Sequence, residues 1–104
     1  MVDKQIAVEK IWDSFERMKT LYEDRTANID KKKSAEMIVD KISDNKQNWI
    51  DLFNAEFKAL TEIGNNYKIR HHEINKIPID KPEWLDYFFG RCYALISMVI
   101  QFIK

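Results

Sequence analysis

The chain has 104 residues, 45% hydrophobic and 33% charged, a composition that fits one globular domain and excludes a disordered tail or a fibrous repeat. Seventeen Lys plus Arg balance seventeen Asp plus Glu, so no net field draws the protein to nucleic acid or an anionic membrane. Two Gly and two Pro leave few turns, which excludes most all-β architectures and Gly-rich phosphate loops.

In the first pattern Ile11, Phe15, Met18, Tyr22 and Arg25 alternate at steps of four and three, with Val8, Trp12 and Leu21 widening the stripe. This periodicity predicts a helix capped by Asp3 and fading through Thr26-Ala27-Asn28. The triplet Lys31-Lys32-Lys33, beside Asp30 and Glu36, reads as a solvated loop or helix start rather than a phosphate site.

A second pattern opens at Ser34 with Ala35, Ile38, Val39 and Ile42, pauses at residues 43–48, and resumes with Trp49, Phe53, Phe57 and Leu60. The seven-residue step from Ile42 to Trp49 favours one continuous helix from about Ser34 to Ile63, with a break near Asp44 as the alternative. Gly64-Asn65-Asn66 is expected to close it, because these residues tolerate the left-handed conformation. Tyr67 to Ile79 follows no single period and predicts a short helix, then an extended connection into Pro78. Asp80 and Glu83 have the spacing of a capping box, with Pro82 in the first turn.

The last helix, Pro82 to Ile103, is apolar almost all round and calls for cover on most sides. The expectation is an all-α bundle of three to four helices, a single domain over residues 1–104, dimerising through Trp84, Phe88, Ile96, Val99, Phe102 and Ile103. The aromatics Trp12, Phe15, Trp49, Phe53 and Phe57 recur on helical stripes and are expected in the core. Asp86 and Arg91 interrupt the last segment, and its uninterrupted apolar part is shorter than a bilayer span, so no membrane anchor is expected. A single cysteine, Cys92, and a start that does not read as a signal peptide point to a reduced, cytoplasmic setting.

The chemistry of the chain concentrates in Arg70-His71-His72-Glu73. Adjacent side chains on a helix point about 100° apart, so His71 and His72 do not easily bind one metal ion together, and nothing in the spacing offers Glu73, Glu62 or Cys92 as further ligands; no metal and no other cofactor is expected. Cys92 in an apolar helix reads as a small buried hydrophobe rather than a nucleophile. The plain reading of the cluster is a polar connection in which Arg70 pairs with Glu73. The catalytic reading makes Arg70 a phosphate clamp and His72, or else His71, the proton-transfer group of a metal-independent ribonuclease.

A small all-helical chain with an Arg-His cluster ahead of a final apolar helix resembles the HEPN superfamily of prokaryotic ribonucleases and toxins. The resemblance implies a dimer with Arg-x4–6-His motifs from both subunits, RNA as substrate, and a place in toxin–antitoxin or phage-defence systems. Asn75 stands where the shortest form of the motif has its histidine, and an amide does not transfer protons as imidazole does. The chain is therefore expected to cleave RNA little or not at all. Its expected role is that of a protein-binding module in defence or counter-defence, with an HEPN-like nuclease or its inactive relative as the alternative.

Overall fold

The computed structural model describes residues 2–103 and is all-α. Four helices follow in order: α1 (Val2–Met18), α2 (Lys31–Ile42), α3 (Gln47–Asn66) and α4 (Pro82–Ile103). Among the described residues there is no strand, only the isolated bridges Asp24–Ile29 and Tyr67–Ile77. The core draws on every helix, with Val8, Trp12, Phe15, Ile38, Val39, Phe57, Leu60, Leu85, Cys92 and Val99 buried. α4 packs most extensively on α1 and also on α2, while α2 packs on α3 as well.

α1 stops at Met18, earlier than the apolar spacing predicts. The Thr20 hydroxyl donates to the Arg17 carbonyl at 2.7 Å, and tight turns carry the chain to Asn28, whose φ is 57°. Tyr22 and Arg25 therefore lie in a loop, not on the helix. Asp3 sits within the first turn of α1 rather than capping it. α2 begins three residues before Ser34, because the Asp30 carboxylate accepts the Lys33 N–H at 2.8 Å and caps the helix there. Ser34 is buried, and its hydroxyl oxygen accepts the Tyr22 N–H at 2.9 Å, tying the loop to α2.

The continuous helix from Ser34 to Ile63 is not formed; the chain breaks near Asp44. The Ser43 hydroxyl donates to the Val39 carbonyl at 2.6 Å, and Asp44 and Asn45 both take φ of 55°. Asp and Asn tolerate this left-handed conformation, so two consecutive residues turn the chain. The face shared by Ile42 and Trp49 is lost with the break. Trp49 is 51% exposed instead of lying in the core, and Phe53 is only partly buried, whereas Trp12, Phe15 and Phe57 are buried as expected.

Gly64 does not close α3. The helix runs through it to Asn66, and closure falls to Tyr67 in an extended conformation, its N–H donating to the Ile63 carbonyl. The glycine answers a packing demand: a Cβ at Gly64 would lie 2.7 Å from Nε1 and 3.0 Å from Cδ1 of Trp12. Trp12 is fully buried and its indole N–H donates to the Leu60 carbonyl at 3.3 Å, so the ring has nowhere to go. Gly64→Ala should therefore lose about 1–3 kcal/mol to overpacking, outweighing the ~1 kcal/mol that alanine ordinarily adds to a helix interior. A Cβ at Gly90 meets nothing within 4 Å, so Gly90→Ala should show the opposite sign. Urea unfolding of both variants checks this, and a stabilised Gly64→Ala would contradict it.

α4 opens at Pro82, with the Lys81 carbonyl accepting from Trp84 and Leu85; Asp80 lies one position too early for the expected capping box. Along α4, Leu85, Cys92, Leu95 and Val99 face inward, and Trp84, Tyr87, Tyr93, Ile100 and Phe102 are about half exposed.

Candidate functional site

Residues 67–81 contain no helix, in contrast to the short one expected after Tyr67. The segment forms a loop whose two ends are bridged: Lys68 N–H donates to the Ile77 carbonyl at 2.7 Å, and Ile77 N–H to the Asn66 carbonyl at 3.0 Å. Ile69 and Ile79 are buried and anchor both ends of the segment in the core. Between them, His71 and His72 lie in an exposed turn.

One face of α1 holds this loop. Gln5, Glu9 and Asp13, spaced four apart, line up along the helix. Gln5 Nε2 donates to the Ile69 carbonyl at 2.6 Å, Asp13 Oδ1 accepts from the Arg70 guanidinium at 2.6 Å, and Glu9 Oε2 lies 3.3 Å from His71 Nδ1. The imidazoles of His71 and His72 stand 5.8 Å apart, edge to face. Glu73 takes the Arg70 backbone N–H at 3.0 Å rather than its side chain, and pairs with Lys76 at 2.8 Å. The Lys76 ammonium, against an opposing effect of burial and with help from the Arg70 N–H, holds the Glu73 carboxyl below its ordinary value.

Arg70, His71 and His72 are thus brought together, but the guanidinium is committed to Asp13 and the expected Arg70–Glu73 side-chain pair is not made. The residues missed in the sequence are Gln5, Glu9 and Asp13. Their four-residue spacing was legible; the loop that they hold was not.

A second feature is a groove of about 880 Å³ between α3 and α4. Leu52, Phe53, Ala55 and Ala59 line it from α3, and Tyr87, Gly90, Ala94 and Met98 from α4. Arg91 and Glu56 bridge it through two hydrogen bonds of 2.6 and 3.2 Å, and the Glu56 carboxylate holds the Arg91 guanidinium in its charged form. Of the side chains expected at an interface, Trp84 and Phe102 are half exposed, Phe88, Ile96 and Ile103 are partly buried against the core, and Val99, at 1% exposure, belongs to the core itself.

Of the three lysines expected to be solvated, Lys31 and Lys32 line a cleft of about 760 Å³ together with Lys19 and Lys58, and Lys31 and Lys19 both pair with Glu16, at 2.7 and 2.8 Å. Burial pushes the Glu16 carboxyl up, and the two ammonium groups together more than offset it, leaving Glu16 ionised below its ordinary range. Glu16, Glu36 and Glu62 offset all but one of the cleft's four lysines, so little net positive charge remains to select an anion.

No described helix is long and apolar enough to cross a membrane. No family model matches the chain, and no curated protein or solved structure matches it either.

Proposed function

We propose that the protein is a non-enzymatic helical interaction module that pairs with a second copy of itself across the α3–α4 groove. The observation that carries the reading is surface left uncovered. The fold exposes 7018 Å² for 12.5 kDa, against about 6,200 Å² for a typical monomer of that mass. Its radius of gyration is 14.5 Å, against about 13 Å for a compact chain of this length. The excess area is close to the ~800 Å² that each partner contributes to a standard interface.

The groove supplies an apolar place for that contact. Ala55 and Ala59 on α3, and Gly90 and Ala94 on α4, lie four apart on each helix and let another helix approach closely. Leu52 and Tyr87 stand exposed along it, and its charged side chains are already paired, Arg91 with Glu56 and Asp86 with Lys4, so an apolar helix face suits it better than a charged ligand does. The commitment of Arg70 to Asp13 supports this reading over an HEPN-like ribonuclease, which needs a free cation for phosphate. A dimeric scaffold of this kind would serve the defence or toxin–antitoxin setting that the HEPN resemblance implies, by presenting paired surfaces to a partner protein.

Sedimentation tests the proposal. The wild-type chain should run as a dimer, and Ala94→Arg, at an exposed position, should weaken association at least ~30-fold, as loss of a central contact of about 2 kcal/mol does. Its helical circular dichroism should not change. A wild-type chain that stays monomeric at its highest attainable concentration would overturn the proposal.

A further inference from the structure

Glu9, His71 and His72 each offer one ligand atom, and these atoms all lie within 4.8 Å of one another. The objection that neighbouring imidazoles diverge applies to a helix; here the backbone turns, and both side chains reach the same face of α1. We propose that these three residues bind a divalent transition-metal ion of the zinc class, with water completing the coordination.

The distances favour it. Metal–ligand bonds of about 2.0–2.2 Å set the edge of a tetrahedral site at ~3.3 Å. The Glu9 Oε2 to His71 Nδ1 separation is already 3.3 Å. His72 is exposed, so its ring can rotate to close the remaining gap at little cost.

The ligand set favours it too. Two imidazoles and one carboxylate suit zinc, cobalt or nickel, whereas magnesium and calcium prefer oxygen alone. The neighbouring carboxylates are engaged elsewhere, Asp13 by Arg70 and Glu73 by Lys76. Among the described residues, the Glu9 carboxylate faces His71 and no lysine or arginine, so no committed cation has to be displaced for it to bind a metal ion.

The turn is also held before any ion arrives. Gln5 grips the Ile69 carbonyl, Asp13 grips Arg70, and buried Ile69 fixes the strand of chain leading into the histidines. A hollow of about 450 Å³, walled by Val2, Gln5 and Ile6, adjoins Glu9 and His71 and leaves room for solvent on the metal. Three protein ligands with an open position define a site that can exchange its water, unlike a closed structural zinc site.

Titration of the tag-free full chain with Co²⁺, followed by visible absorption and then by displacement with Zn²⁺, tests the site. One ion should bind per chain, and Glu9→Gln, His71→Ala and His72→Ala should each weaken it at least ~10-fold. Glu36→Gln, on α2 and outside the cluster, should not change it. All four positions are at the surface or half-buried, and unchanged circular dichroism will show that the fold persists. Absence of saturable binding would overturn the proposal. So would binding that survives Glu9→Gln unchanged, since it would then rest on exposed histidines without the α1 carboxylate.

Discussion

Trp12→Ala should cost about 3–5 kcal/mol, the range for removing a large aromatic side chain from a packed core. Small domains have only about 5–15 kcal/mol of total stability, so the variant should be partly unfolded without denaturant. Trp12 is where α1, α3 and α4 meet. It has no exposed surface, its indole N–H donates to Leu60, its ring stands edge-on to Phe88 at 6.3 Å, and Gly64 is small to accommodate it. Truncation empties the space between α1, α3 and α4 and also leaves the Leu60 carbonyl without its side-chain donor. Trp12→Phe retains most of the volume and should cost markedly less. Urea unfolding will separate the two, and a Trp12→Ala midpoint within ~1 kcal/mol of wild type would show that the core closes by other contacts.

Cys92 should react with thiol reagents at least ~10³-fold more slowly in the folded protein than in urea. Its thiol is fully buried in α4, and that burial pushes its pKa up to about 12, with Arg91 opposing and Glu56 reinforcing the shift. The thiolate is the reacting species, so raising the pKa from 9.0 to about 12 removes most of it near neutral pH, before access is considered. The same shift links stability to pH. Above pH 9 the unfolded chain releases the thiol proton and the folded chain retains it. This contribution to stability is intact below pH 9 and falls by about 1.4 kcal/mol per unit as pH rises toward 12. Alkaline unfolding of wild type should therefore begin earlier than that of Cys92→Ala relative to their stabilities at neutral pH. Rapid labelling of the native thiol would show that α4 opens readily.

The two halves of the second pattern show what periodicity can and cannot carry. Ile38, Val39 and Ile42 do form one buried helical face with Ala35 partly buried beside them, and Phe57 and Leu60 form another. The relation between them depended on three residues. Ser43 bonds back to Val39, and Asp44 and Asn45 turn left-handed, so a seven-residue step in the sequence became a corner, and Trp49 came out to the surface. Local side-chain competition for backbone groups decides such a break, and apolar spacing does not record it.

The candidate sites divide in the same way. Arg70, His71, His72 and Glu73 stood out in the sequence because titratable types cluster there, and their chemistry was readable from residue type alone. What each one touches was not, since Asp13 and Glu9 lie about sixty positions earlier in the chain.

By itself the amino-acid sequence determined the all-α class, apolar helical faces recurring every three or four residues and the burial of Cys92. These follow from local propensity and from apolar surface that must leave water. Only the tertiary structure decided that Gly64 makes room for Trp12, that Arg70 pairs with Asp13, and that two adjacent histidines meet Glu9. Those depend on how a loop is pinned across a distant helix, and that geometry is set by long-range packing, which leaves no period in the chain.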